Sequence, residues 1–287
     1  TTLFRSRLYL PADWIEDPKR CRKAKIPEEH IRHVTKPEMA MEMIQRARSL
    51  GLRFGWVCFD ALYGSSLELL NGLDGMGKIF AADVKRNRKI YPDEPDGTSV
   101  RISTFFRNQL DWEMVDVRMG EKGMLKVQAC AKRVWVDGKK WWAVCVVDPQ
   151  TTETKWFLSN APEDTKLEVL VRQHGCRFWI ERGFQDGKTS VGMADYQVRG
   201  WVAWHHHMAM VMLAMLFLLR ERRVHLLEVE MLSCNDIVEL LNVYLPRRDM
   251  TAEQVLANIQ RRHLKRKLAQ ESARRRRPRK KKDAALV

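Results

Sequence analysis

The sequence predicts an α/β fold that carries a β-rich insertion and ends in helices and a basic tail. Three observations predict it. Strand and helix patterns alternate from Phe4 to Val84, short β patterns fill residues 87 to 158, and helical periodicity dominates after Asn160.

The elements follow in order. Phe4 to Leu10 sets Phe, Ser, Leu and Leu against Arg, Arg and Tyr, the alternation of a strand, and Pro11 closes it. Thr35 before Lys36-Pro37-Glu38 marks a helix start; the helix runs from Pro37 to about Leu50 and stops at Gly51. Phe54 to Phe59 is apolar enough for a buried strand, and Asp60 follows it. Ser65 or Ser66 caps a helix through Leu73, and Ile79 to Val84 is the next strand. Within the insertion, Val134-Trp135-Val136 and Trp141 to Val147 flank Asp137-Gly138-Lys139-Lys140 as a hairpin. Helices are expected at about 164–174, 176–188, 199–223, 235–244 and 251–277, with Pro246 between the last two. The parts on either side of the insertion need each other to close a core, so residues 1–86 and 159–223 read as one domain interrupted by residues 87–158. Residues 224–270 read as C-terminal helices and 271–287 as a disordered basic tail.

A chain of 287 residues can bury a sizeable core. Its formal charge of +15 is uneven: thirteen lysines and arginines lie from Arg261 onward, against Glu271 and Asp283 alone. Such density favours a polyanion, most simply nucleic acid, although a solvated tail would look the same. Six cysteines show no CxxC spacing and sit mostly in apolar runs, as expected of reduced thiols inside a cell. No secretory signal opens the chain, and its start at Thr1 without a methionine leads us to expect an incomplete N-terminus. The run from Met208 to Leu219 is too short to span a bilayer and reads as a core helix, so no membrane partner is expected.

Two places carry chemistry. Asp60 stands where a buried strand emerges, the position at which open α/β sheets build their sites. It equally fits a turn-forming Asp bonded to backbone around Gly64. In the stretch Phe178 to Lys188, Arg177, Glu181 and Lys188 fall on one helical face, one acid between two cations. That stripe suits a divalent metal held against a phosphate; an ordinary i, i+4 ion pair is the simpler alternative. Gly183 and Gly187 break helix propensity beside the stripe and could admit another backbone, such as DNA. His205, His206 and His207 cannot converge on one ion, because consecutive helical residues point about 100° apart.

The spacing Arg177, Glu181, Lys188 resembles the last part of the Tyr-Arg-Glu-Lys signature of DDE insertion-sequence transposases. IERGFQDGKTSVGMADYQVRGWVAWHHHMAMVMLAMLFL resembles that group's glutamate helix and the helix after it. RLYLPADWIEDPKRCRKAKIP, TKPEMAMEMI, FGWVCFDALYG and WFLSNAP resemble its other blocks, in the same order, from about Leu8 to Leu219.

The resemblance implies a ribonuclease H-like core in which three carboxylates hold two Mg²⁺ (or Mn²⁺) ions. Asp60 matches the second carboxylate and Glu181 the third. Arg177 and Lys188 would contact transposon-end phosphates, and the signature's tyrosine position falls on His174. The first Asp has no match before Asp60, since Asp13 and Asp17 lie in a Pro-Trp loop. The chain therefore reads as a truncated transposase lacking one ligand; a non-catalytic DNA-binding protein, degenerate or a repressor of its own element, is the alternative. DNA ends and target DNA are the implied partners, with a homodimer assembled on DNA and a nucleoid-associated place in a bacterial cytoplasm. Arg274, Arg275, Arg276, Arg277, Lys280, Lys281 and Lys282 would add salt-sensitive, sequence-independent DNA affinity. Trp135, Trp141, Trp142 and Trp156 lie in or beside the insertion strands. In relatives an insertion-domain Trp can stack on a flipped base, whereas core packing explains most strand tryptophans.

Overall fold

A computed structural model describes residues 6–120, 123–225, 232–245 and 251–276. It contains two compact units, Thr1–Asn235 and Asp236–Val287. The first unit opens with short helices α1 (Ala12–Ile15) and α2 (Pro18–Lys23), then α3 (Lys36–Ser49). Thr35 caps α3 in a reciprocal box with Glu38, whose carboxylate accepts the Thr35 N–H at 2.6 Å. Strand β1 (Trp56–Phe59), helices α4 (Ala61–Gly64) and α5 (Leu67–Gly75), and strand β2 (Ile79–Val84) follow. Next come a small ladder of β3 (Lys89–Ile90) with β4 (Val100–Arg101), and α6 (Ile102–Arg107). Four strands succeed it: β5 (Glu113–Gly120), β6 (Gly123–Val136), β7 (Lys139–Val147) and β8 (Thr154–Ser159). Helices α7 (Leu167–Gly175), α8 (Arg177–Ser190), α9 (Trp201–His225), α10 (Cys234–Tyr244) and α11 (Ala252–Arg276) complete the order.

The fold is mixed α/β. One six-stranded sheet runs in the order β1-β2-β8-β7-β6-β5. β1 and β2 are parallel, which requires a crossover, and α4 with α5 supplies it. The remaining pairs are antiparallel, so the strands between residues 113 and 159 continue the sheet that β1 and β2 begin. Both faces of the sheet are covered. Phe80, Leu70, Leu73, Trp141 and Ile102 pack on one, and Ala81, Val144, Phe157, Leu170 and Val171 on the other. Trp141 and Trp142 thus separate: Trp141 is 2% exposed, edge-on to Phe80, while Trp142 is half-buried. Phe80, fully buried at the middle of this arrangement, would cost about 3–5 kcal/mol if cut to alanine.

The hairpin is tighter than its sequence promised. Asp137 and Gly138 alone form the turn, with φ of 51° and 70°, and Val136 pairs with Lys139. Two positive-φ residues give the twist that matches antiparallel strands, so Lys139 and Lys140 are free to belong to β7.

Three expectations are corrected. Residues 6–10 form no strand; they lead into α1, and Leu10 is buried with Cys21, Ala24 and Ile26 instead of beside a sheet partner. The Pro-Trp loop is helical, because Asp17 caps α2 by accepting the Arg20 N–H at 3.0 Å and Pro18 fits the first turn. α9 is not a core helix along its length. Val211, Met215 and Leu218 form one buried stripe, whereas Met210, Leu213, Leu216 and Phe217 are exposed, since apolar residues ring the helix. By length and composition α9 is long and apolar enough to cross a membrane.

In the second unit, helical backbone continues to Arg276, in keeping with the helix expected over about 251–277, and so takes in Arg274, Arg275 and Arg276 of the basic stretch. Arg277, Lys280, Lys281 and Lys282 lie outside the described residues.

Candidate active site

The parallel pair β1–β2 sets the site. Its last paired residues are Phe59 and Ala82, so one step further along the ladder Asp60 and Asp83 come side by side at the carboxyl ends of the two strands. Strand alternation sends Asp83 to the face of Ile79 and Ala81, the face covered by α7. Asp60 leaves β1 in extended conformation and its carboxylate accepts the N–H groups of Leu62 (2.9 Å) and Tyr63 (3.3 Å). It is therefore an N-cap, as the turn-forming reading has it, and it is also an exposed carboxylate at a strand end. The turn closes against β2. Gly64 is buried, and a Cβ there would overlap the backbone carbonyl of Asp83, so no side chain fits between the Asp60 turn and its neighbour strand.

α7 and α8 approach from above, separated only by Cys176. The Cys58 thiol, pushed up to about 12 by burial, donates to the Gln173 carbonyl at 3.3 Å and ties β1 to α7. His174 is 9% exposed; its ring stacks on Phe157 with centroids 4.2 Å apart and planes 4° from parallel. Burial, with a smaller contribution from Lys155, pushes its pKa down to about 4. The neutral ring donates Nε2–H to one oxygen of Asp83. His174 is accordingly turned into the protein, with its ring taken up by Phe157 and Asp83.

Arg177 joins the two halves. One amino group of its guanidinium donates to the other oxygen of Asp83, and the second donates to Glu181 at 2.9 Å. The Asp83 side chain is 14% exposed and the Arg177 side chain 22%, whereas Glu181 is 67% exposed. Arg177 and Glu181 thus form the i, i+4 pair, but the pair is anchored to the sheet. Lys188 lies on the same helix, exposed. Beside them a cleft of about 200 Å³ has a floor of Val117, Val127, Val146 and Val171, and Arg118, Lys155, Arg177 and Glu181 line it too. Arg118 lies over the Phe178 ring at 3.5 Å.

The donor chemistry suits a hard divalent cation. Asp60 and Glu181 offer only carboxylate oxygens, the donors such a cation takes, and Glu181 is already paired with the Arg177 guanidinium. Among the described residues no three His, Cys, Asp or Glu side chains form a group that could hold a metal ion. Asp60 and Glu181 are at most two of the ligands such an ion needs.

Asp83 escaped the sequence reading. Its signal was present: a single carboxylate in the otherwise apolar strand Ile79–Val84. Other residues lie elsewhere. Gly183 and Gly187 are buried, and a Cβ on Gly187 would meet Met193 at 2.8 Å, so that glycine admits a loop of its own chain. His205 and His207 turn to different carbonyls, those of Trp201 and Gly192. Trp135 and Trp142 donate to the carbonyls of Asp93 and Pro162. The Trp156 indole N–H, by contrast, is buried without a partner. Trp156 lines a separate pocket with Trp112, Arg86, Arg101 and Arg107.

Residues 2–104 match the DDE superfamily endonuclease family, a span that includes Asp60 and Asp83 and ends before α8. The chain is also 25% identical over 174 residues to a probable transposase for insertion sequence element IS701 from Microchaete diplosiphon. That alignment covers 57% of this chain and 42% of the transposase, so the chain spans less than half the length of its curated relative. Over residues 2–104 the chain is thus similar to DDE superfamily endonucleases, and over 174 residues it is distantly similar to a probable insertion-sequence transposase.

Proposed function

We propose that this chain is the catalytic part of a DNA transposase, in which Asp60 and Glu181 bind divalent metal for phosphodiester cleavage and strand transfer at insertion-sequence ends. The observation that supports the reading is the Arg177 guanidinium, which bonds both Glu181 on α8 and Asp83, the residue one ladder step beyond the last β1–β2 pair and thus beside Asp60. In this reading β1, β2 and the α7–α8 pair belong to a ribonuclease H-like core, and β5 to β8 are its insertion.

Cleavage joins a water oxygen to phosphorus and breaks the bond to the 3′ oxygen, leaving a 3′-hydroxyl and a 5′-phosphate. In transfer that hydroxyl attacks a target phosphodiester, whose own 3′ oxygen departs. Mg²⁺ or Mn²⁺, when bound, would lower the pKa of the attacking oxygen and neutralise the leaving one. Asp60 and Glu181 would hold it. Arg177 and Lys188 would orient the phosphate, and the exposed position of Lys188 leaves it open to DNA. The pocket of Trp156, with three arginines, suits a base and its phosphate. The basic stretch from Arg274 to Lys282 would supply further non-specific DNA affinity, on a homodimer assembled at the ends.

A second reading, a DNA-binding protein without catalysis, is favoured by the lack of a three-ligand group among the described residues. Nicking of supercoiled plasmid by the full chain in Mn²⁺ separates the two. Nicking that disappears in both Asp60→Asn and Glu181→Gln supports the transposase. DNA binding without nicking, unchanged in these variants, supports the second reading.

A further inference from the structure

We infer that Asp83 is a positioning residue of this site: it neutralises and anchors Arg177, and through Arg177 it sets Glu181 for metal. The inference rests on the metal reading of Asp60 and Glu181 and extends it to a third carboxylate.

Asp83 touches both halves of the site. Its backbone carbonyl is the surface on which Gly64 closes the Asp60 turn, and its side chain reaches α7 at His174 and α8 at Arg177. Both of its oxygens are engaged, one by each residue, so it has little left to offer a metal directly. Glu181 has no comparable enclosure. It is mostly exposed, and it pairs with the guanidinium that Asp83 holds. A guanidinium is permanently charged, so an Arg177 without Asp83 would bring an uncompensated positive charge to Glu181. Such a charge competes with a divalent cation for the same carboxylate. With Asp83 present, Arg177 is a neutralised bracket; without it, Arg177 becomes a rival. Asp83 acts through Arg177, and that distinguishes it from a packing residue.

Mn²⁺ binding to the full chain, followed by electron paramagnetic resonance, tests this. Asp83→Asn keeps the side chain's size and removes its charge, and it should weaken Mn²⁺ binding on the order of tenfold. Adding Arg177→Gln to that variant should recover part of the lost affinity, because the rival charge is gone although the bracket that places Glu181 is gone with it. Unchanged affinity in Asp83→Asn overturns the inference. So does a loss that Arg177→Gln fails to rescue, the result expected if Asp83 were purely structural or a direct ligand. If Asp83→Asn unfolds the chain, refolding in the double variant supports the coupling, and failure of both overturns it. A second readout needs no metal. In nuclear magnetic resonance the Arg177 amino protons should show hindered rotation in wild type and lose it in Asp83→Asn. If wild type binds no Mn²⁺ in a Glu181-dependent way, the metal reading falls, and these resonances still decide whether Asp83 holds Arg177.

Discussion

Asp60 and Glu181 are held in opposite ways. Asp60 is fixed by its own turn: two backbone N–H groups within three residues, and a glycine that lets the turn lie flat on β2. Glu181 is fixed from a distance, through Arg177, by a carboxylate 94 residues away from that arginine. A locally built carboxylate stays put whenever its turn forms. A remotely built one is only as well placed as the packing of two helices on a sheet. The proposed site therefore joins a rigid half to a conditional half, and perturbations aimed at each should differ in size and kind.

The largest effect is expected at Gly64. Gly64→Ala would drive a methyl group into the Asp83 carbonyl, and backbone on both sides leaves no flexible side chain to yield. Overpacking of this kind should cost at least about 3 kcal/mol in urea denaturation. A loss below about 1 kcal/mol would mean that the Asp60 turn can lift off β2, and the rigid half would not be rigid.

Acid should act on the other half. His174 titrates at about 4 when folded and near 6.5 when unfolded, so between these values the unfolded chain binds the extra proton. Stability contributed by His174 is complete above about pH 6.5 and is lost as pH falls toward 4. The loss is at most about 3 kcal/mol, and the charge of nearby Asp83 reduces it. His174→Gln should flatten the slope between pH 6.5 and 4.5 relative to wild type. Parallel slopes in the two proteins would show that the ring is not buried against Phe157.

This contrast also explains what the sequence disclosed. Asp60 was legible as both strand end and turn former, because its cap lies within three residues of it. The stripe of Arg177, Glu181 and Lys188 was legible because helical periodicity is local, and so was the capping box at Thr35. The Asp83–Arg177–His174 junction was not. It depends on the register of a parallel pair and on where α7 comes to rest, neither of which any short window encodes. The same limit accounts for residues 6–10, whose strand-like alternation says nothing about whether a partner is near. α9 failed for another reason: an apolar run predicts a helix without saying which faces are covered.

Substitutions at Asp60 sharpen the comparison at a smaller scale. Asp60→Ala removes the cap of α4 and should cost about 1 kcal/mol, while Asp60→Asn caps nearly as well and should be close to neutral. Both variants should abolish Mn²⁺ binding at the site. Calorimetric melting beside metal titration would separate the two roles of one side chain. Equal destabilisation by Ala and Asn would show that charge, not capping, holds the turn.

Glu181 should give the smallest effect on folding. Its side chain is two-thirds exposed and pairs with Arg177 in a geometry that solvent screens, so Glu181→Gln should change stability by less than about 0.5 kcal/mol. Arg177 keeps its bond to Asp83 in that variant, and the helix loses nothing it packs with. Metal affinity, by contrast, should fall as far as it does for Asp60→Asn, because a carbonyl and an amide replace an anionic donor. A near-neutral fold with a lost ligand is what a carboxylate placed for chemistry would show. If Glu181→Gln instead destabilises as much as Asp60→Ala, Glu181 is part of the scaffold, and the ion pair with Arg177 is its purpose.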